Sequence, residues 1–139
     1  MLILGVGVDI VEISRIKNAL KKHTNFIDRL FEKTEIEYFN RNNNKPESIA
    51  GSFAAKEAVS KAFGTGFRGF DFRDICVHRT NLGKPTVILK GKAELFAKKY
   101  GNYIIHLSIS HEINNAIAFA VMEVDDIEGC QCWNNEEYR

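Results

Sequence analysis

A carboxylate on a nearly bare strand face is the first group in this chain able to do chemistry. Residues 2–9 alternate Leu2, Leu4, Val6 and Val8 on one side with Ile3, Gly5, Gly7 and Asp9 on the other, which is strand periodicity. Glycine removes the steric barrier of a Cβ, so ligand atoms can approach that face while Asp9 holds a cation. Equally, Gly5 and Gly7 can serve close packing, with Asp9 capping the helix that follows. Glu57 and Lys61 stand four residues apart, and on a solvated helix that is an ordinary ion pair contributing about 0.3–0.5 kcal/mol. Their neighbours here are Phe53, Ala54, Ala55, Ala58, Val59 and Ala62, a poor surface for charge. Lys56, Glu57, Ser60 and Lys61 therefore read as a polar edge facing something. A hard divalent cation such as Mg2+ takes one or two protein carboxylates and completes its shell with water and substrate phosphates, and Asp9 with Glu57 makes a suitable pair.

A third constellation lies late in the chain. Alternation there sets His106, Ser108 and Ser110 on one face and Leu107, Ile109 and His111 on the other. A histidine between two hydroxyls lines a phosphate or nucleotide site, or simply faces solvent. The early glycines do not form a dinucleotide fingerprint, because Ile10 stands where the third glycine of that pattern would fall.

Helices and hairpins must hold these groups. A basic, amphipathic helix over 12–22 follows the first strand, with Ile13, Ile16 and Leu20 at helical spacing and Arg15, Lys17, Lys21 and Lys22 among its polar positions. Residues 26–31 read as a short second helix, and Thr34, followed by Glu35 and Glu37, as the cap of a third that ends near Phe39. After a polar loop over 40–45, Pro46 suits the first turn of a helix over 47–63 that Gly64 ends. Strands over 75–80 and 86–89 flank a turn over 81–85, residues 92–100 form a short helix, and strands over 103–111 and 115–124 make a second hairpin. Helices early and antiparallel strands late give an α+β fold, a small antiparallel sheet with helices packed on it.

The 139 residues carry 19 Lys plus Arg against 18 Asp plus Glu, a net charge of +1, but the charge is segregated. Residues 1–124 hold 18 basic and 13 acidic side chains, or +5, while residues 125–139 hold one and five, or −4. A basic body suits anionic partners; Lys21, Lys22, Arg29 and Lys33 are either solvated helix faces or a patch for an acidic protein. No basic stripe interleaved with exposed aromatics points to nucleic acid. One domain over 1–124 and an acidic, mobile tail over 125–139 are expected. Cys76, Cys130 and Cys132 are too few for a disulfide framework, and Cys130 with Cys132 falls short of the roughly four ligands zinc wants. A cytoplasmic protein is expected. The apolar start is broken by Asp9 and Glu12, so it fits neither a signal peptide nor a membrane span of about 20 residues.

Four segments, GVGVDIVEISRI at 5–16, FAAKEAVSKAFGTG at 53–66, GKP at 83–85 and HLSISHE at 106–112, resemble in order and spacing the holo-acyl-carrier-protein synthase family of small 4′-phosphopantetheinyl transferases. The likeness covers residues 1 to about 124, and the segment after Val124 departs from it. The resemblance implies that family's fold, assembled as a homotrimer with active sites shared between neighbouring subunits. It implies transfer of the phosphopantetheine arm of coenzyme A to a serine of apo acyl carrier protein, releasing adenosine 3′,5′-bisphosphate. By matching position, Asp9 and Glu57 are the implied Mg2+ ligands and, with Lys61, the implied catalytic residues. Lys56, Lys61, Gly64, Gly66, His106 and Ser108 are the implied coenzyme A contacts. Glu57 or a water on the metal takes the serine proton; the residues do not choose between them. Arg15, Lys21, Lys22 and Arg29 are the implied docking residues for the acidic carrier. A non-catalytic coenzyme A or nucleotide binding module and a metal-dependent phosphodiesterase stand as alternatives.

Overall fold

A computed structural model describes residues 1–125; Cys130, Cys132 and the rest of the expected tail lie outside the described residues. Strand β1 (Leu2–Glu12) runs straight into α1 (Ile13–Lys22), followed by α2 (Phe26–Leu30), α3 (Lys33–Arg41) and the long α4 (Pro46–Ala62). A loop and a 3-10 turn (Phe72–Asp74) lead to the β2 (Ile75–Arg79) and β3 (Pro85–Leu89) hairpin, then α5 (Gly91–Lys98), β4 (Tyr103–His111) and β5 (Asn115–Val124). The fold is α+β. One antiparallel sheet has the order β1-β5-β4, and β2-β3 forms a second.

Local chemistry explains the elements and two departures from expectation. β1 continues past Asp9 because Ile10, Val11 and Glu12 keep pairing with Ile117, Ala116 and Asn115 of β5. Asp9 thus sits inside a strand and does not cap α1, whose capping position is Glu12. Helix α3 begins earlier than Thr34 predicts: Glu32 is its cap, and Glu32 and Glu35 satisfy each other's backbone N–H groups in a reciprocal capping box. Thr34 instead stands within the helix, its hydroxyl 3.5 Å from His78 Nε2.

Helix α4 is the centre of the molecule. Its Ala54, Ala55, Ala58 and Ala62 are buried, as are Ala116, Ala118 and Ala120 of β5. Small side chains on both surfaces let helix and sheet approach closely. Over 51–60 only Phe53 and Glu57 reach the surface, so α4 is buried nearly all round rather than along one stripe. A second core, around Phe31, Phe39 and Ile49, joins α1, α2 and α3 to the start of α4. Phe31 and Phe39 meet edge to face at 4.9 Å, a geometry the ring quadrupole favours.

A register shift between Ile3 and Gly5 turns Leu4 into the core and leaves Val6, Val8 and Ile10 on the outer side of the sheet. Val8 pairs with Phe119 and Ile10 with Ile117, and all four are exposed. The apolar face expected of β1 is therefore split by the bulge, most of it facing away from α4. No helix among the described residues is long and apolar enough to cross a membrane.

Candidate active site

The two strand glycines bring the chemistry together. A Cβ on Gly7 would run into the carbonyl oxygen of Ala58, and one on Gly5 into that of Ala62. Strand β1 thus lies with its backbone directly on the backbone of α4. The glycine face is closed by the helix and not open to a ligand, so close packing is the reason for these residues. That packing has a chemical result, because Asp9, two residues beyond Gly7, is delivered beside Phe53, Glu57 and Lys61, the line of α4 that reaches the surface over 51–62.

Lys61 Nζ donates to the Val8 carbonyl at 2.8 Å and to Asp9 Oδ1 at 3.2 Å. The ion pair therefore spans β1 and α4 instead of joining Glu57 to Lys61 along the helix. It is half exposed on the lysine side, where such pairs stabilise by about 0–1 kcal/mol. Glu57 is held above its ordinary carboxyl pKa, first by burial and then by the neighbouring Asp9 carboxylate, against the opposing pull of Lys61. A carboxyl whose ionisation is disfavoured by burial and a neighbouring carboxylate suits a bound cation, which removes that cost. Among the described residues no third His, Cys, Asp or Glu joins them in a cluster, as suits a cation that keeps positions for water and phosphate.

A stability test follows from the sign of the shift. A carboxyl whose pKa rises on folding binds its proton more tightly when folded, so metal-free stability falls as pH climbs past the ordinary carboxyl range. Glu57→Gln is expected to stabilise the metal-free protein at pH 7, with the gain vanishing below pH ~4, where the wild-type carboxyl is also neutral. Urea unfolding at both pH values reads this, and equal midpoints at pH 7 would contradict it.

The expected polar edge of α4 is corrected. Lys56 is completely buried, its Nζ donating to Glu35 Oε1 at 2.8 Å, to the Phe72 carbonyl at 2.9 Å and to the Ile75 carbonyl. All three ammonium protons are engaged inside the protein, which leaves none for a coenzyme A contact. Burial lowers the Lys56 pKa, with Glu35 opposing the shift. Ser60 is also buried, and its hydroxyl donates to the Glu57 carbonyl. Only Glu57 and Lys61 of the four remain available.

After α4 the chain turns through Gly64, Gly66 and Gly69, all at positive φ with open space where a Cβ would stand. That loop leaves its backbone approachable, with the Gly64 and Gly66 N–H groups already donating to the Lys61 and Ser60 carbonyls. A row of stacked rings not foreseen from the sequence runs beside it: Phe26 on Phe53 at 6.4 Å, Phe53 on Phe72 at 5.4 Å and Phe72 on Phe67 at 3.9 Å. The only sequence signal was the density of phenylalanine around 53–72. His106 and Ser108 lie on the outer sheet face, opposite Val121 and Phe119, and His106 Nε2 is 2.7 Å from Glu123 Oε2. The polar row of β4 thus borders the apolar row of β5, with that of β1 beyond it. Arg15, Lys21, Lys22 and Arg29 are all exposed on α1 and α2, and none forms a salt bridge among the described residues.

A profile of the 4′-phosphopantetheinyl transferase superfamily matches residues 5–128. The chain is similar to the holo-acyl-carrier-protein synthase of Clostridium kluyveri, 66% identical over 131 residues that span 94% of this chain and 98% of that protein. It is 53% identical to the Clostridium novyi enzyme of the same name over 138 residues, 99% of this chain and 100% of that one. That alignment extends past Val124, so the segment the resemblance left aside has a counterpart. Among solved structures, the Neisseria meningitidis holo-acyl-carrier-protein synthase superposes with a TM-score of 0.81 at 35% identity, covering 88% of this chain and 99% of that one. The Bacillus anthracis synthase, solved in complex with CoA (3′,5′-ADP), gives 0.72 at 37%, covering 90% and 100%. With glycine packing, paired carboxylates and these alignments in agreement, the chain belongs to the 4′-phosphopantetheinyl transferase superfamily and, within it, to the holo-acyl-carrier-protein synthases.

Proposed function

We propose that this protein transfers the 4′-phosphopantetheine arm of coenzyme A to a serine of apo acyl carrier protein, releasing adenosine 3′,5′-bisphosphate, with Asp9 and Glu57 holding Mg2+. The observation that carries this reading is the meeting of Asp9 on β1 with Glu57 and Lys61, on the line of α4 that reaches the surface over 51–62. A bound Mg2+ supplies charge neutralisation for a pyrophosphate that would otherwise repel a nucleophile. The serine oxygen attacks the phosphorus nearer the pantetheine, and the P–O bond to the nucleotide phosphate breaks with its electron pair. Lys61, half exposed beside Asp9, contacts the phosphates and stabilises charge gathering on their oxygens. Glu57 or a water beside it takes the serine proton. Gly64 and Gly66, with open space where a side chain would stand, let the phosphates lie against the backbone of the loop.

Intact-protein mass spectrometry with coenzyme A, Mg2+ and a panel of apo carriers tests the reading. Gain of one phosphopantetheine supports it, and no mass change on any carrier overturns it. Turnover of coenzyme A without carrier would mark a phosphodiesterase, and saturable binding without transfer a binding module. The unpaired basic residues Arg15, Lys21, Lys22 and Arg29 dock the acidic carrier. Replacing both Lys21 and Lys22 with Glu raises the KM for carrier by about tenfold or more through charge reversal at a docking patch, with the KM for coenzyme A within about twofold. Equal effects on both substrates refute the patch.

The exposed row of Val6, Val8, Ile10, Ile117 and Phe119 supports assembly as a homotrimer through the outer sheet face, bringing His106 and Ser108 to the subunit boundary, where they complete a neighbour's coenzyme A site. The transferase domain is residues 1–124. Asp125 is still tied to it by reciprocal hydrogen bonds with the Asn102 backbone. The protein works in the cytoplasm.

A further inference from the structure

We propose that Lys56 is a positioning residue that holds the glycine-rich segment after α4 in the shape coenzyme A needs; this rests on the reading that Gly64 and Gly66 contact that co-substrate. The segment from Gly64 to Asp71 has no helix or strand of its own, and three glycines at positive φ give it little intrinsic stiffness. What fixes its far end is Lys56. The buried ammonium holds the carbonyls of Phe72 and Ile75, so the chain is clamped where it leaves the loop. The Phe72 ring passes that constraint back, stacking on Phe67 within the loop at 3.9 Å and 15° and on Phe53 at 5.4 Å and 22°. The near end is held by α4 itself, where Gly66 N–H donates to the Ser60 carbonyl and Gly64 N–H to that of Lys61.

Lys56 directly precedes Glu57 in α4. One helical turn therefore presents the carboxylate outward and grips the loop from inside, which sets the distance between carboxylate pair and phosphate loop. Glu35 takes the other ammonium proton, and its second oxygen accepts from Val77 N–H at 3.0 Å. The carboxylate is the counter-ion that makes a buried ammonium tolerable; the two carbonyl bonds are what reach the loop.

Removing Lys56 alone strands a buried carboxylate and risks unfolding, so the informative variant is Glu35→Gln with Lys56→Met, compared with Glu35→Gln alone. In the double variant, amide hydrogen exchange over 64–72 is expected to accelerate about tenfold or more, the ratio expected for one or two lost buried hydrogen bonds. Exchange in β1 stays unchanged. The Kd for coenzyme A by calorimetry and the KM for coenzyme A rise by a similar factor, with kcat and carrier KM within about twofold. Glu35→Gln alone lowers the global unfolding midpoint by leaving the ammonium without its counter-ion, but Lys56 keeps its bonds to the Phe72 and Ile75 carbonyls, so exchange over 64–72 relative to β1 and coenzyme A affinity stay near wild type. Wild-type exchange and affinity in the double variant overturn the proposal. So does a single variant that loosens the loop as much as the double, or a double variant in which all kinetic constants and all exchange rates degrade together. The exchange measurement needs neither coenzyme A nor carrier, so failure of the transfer reading leaves this claim decided on its own.

Discussion

Replacing Asp9 or Glu57 with alanine is expected to lower kcat/KM for carrier modification by on the order of 10³-fold, because either change removes half of the charge that holds the cation against the pyrophosphate. The protein stays folded in both cases. Asp9→Ala loses only a half-exposed ion pair with Lys61, and Glu57→Ala removes a carboxyl that burial and Asp9 already disfavour. Circular dichroism and unfolding midpoints separate catalytic loss from collapse, and a Mg2+ titration separates metal loss from other causes. Near-full transfer by either folded variant would remove the carboxylate pair from the mechanism.

The largest stability effect is expected at Gly7. A methyl group there meets the Ala58 carbonyl oxygen, a backbone atom that no rotamer change can move. Gly7→Ala must lift β1 from α4, at a cost of about 2–3 kcal/mol or more for overpacking between two backbones. Urea unfolding should show a lower midpoint, and transfer should fall even where the protein remains folded, because Asp9 moves with the strand. Gly5→Ala, against the Ala62 carbonyl, acts in the same direction further from the carboxylates. An unchanged midpoint in Gly7→Ala would refute the backbone contact.

What could be read from the residues followed the range of the interactions. β4 and β5 show their bounds in plain alternation, a local signal, and the structure has them at Tyr103–His111 and Asn115–Val124. The meeting of Asp9 with the Glu57 and Lys61 face was also anticipated, since residue type and helical spacing suffice to suggest it. Lys56 was misplaced for a physical reason. Its partner Glu35 lies 21 residues away and the two carbonyls it holds lie 16 and 19 away, so nothing beside it in the chain announces a buried charge. Ser60 was misread because α4 is covered nearly all round, where helical spacing no longer sorts inside from outside. The bulge at Ile3 and Gly5 inverts the facing of the residues after it, and a one-residue shift of register leaves no mark on an alternating pattern.

Under the proposed assembly and docking, the outer sheet face and the basic body respond oppositely to ionic strength. Copies that meet through Val6, Val8, Ile10 and Phe119 bring like-charged bodies together, each +5 over residues 1–124, so added salt favours their association by screening repulsion over a Debye length of about 8–10 Å. An acidic carrier approaching Arg15, Lys21 and Lys22 is drawn by the same charge, and salt weakens that attraction. On that proposal, dilute salt is expected to speed carrier encounter while loosening contact between copies, and concentrated salt to do the reverse.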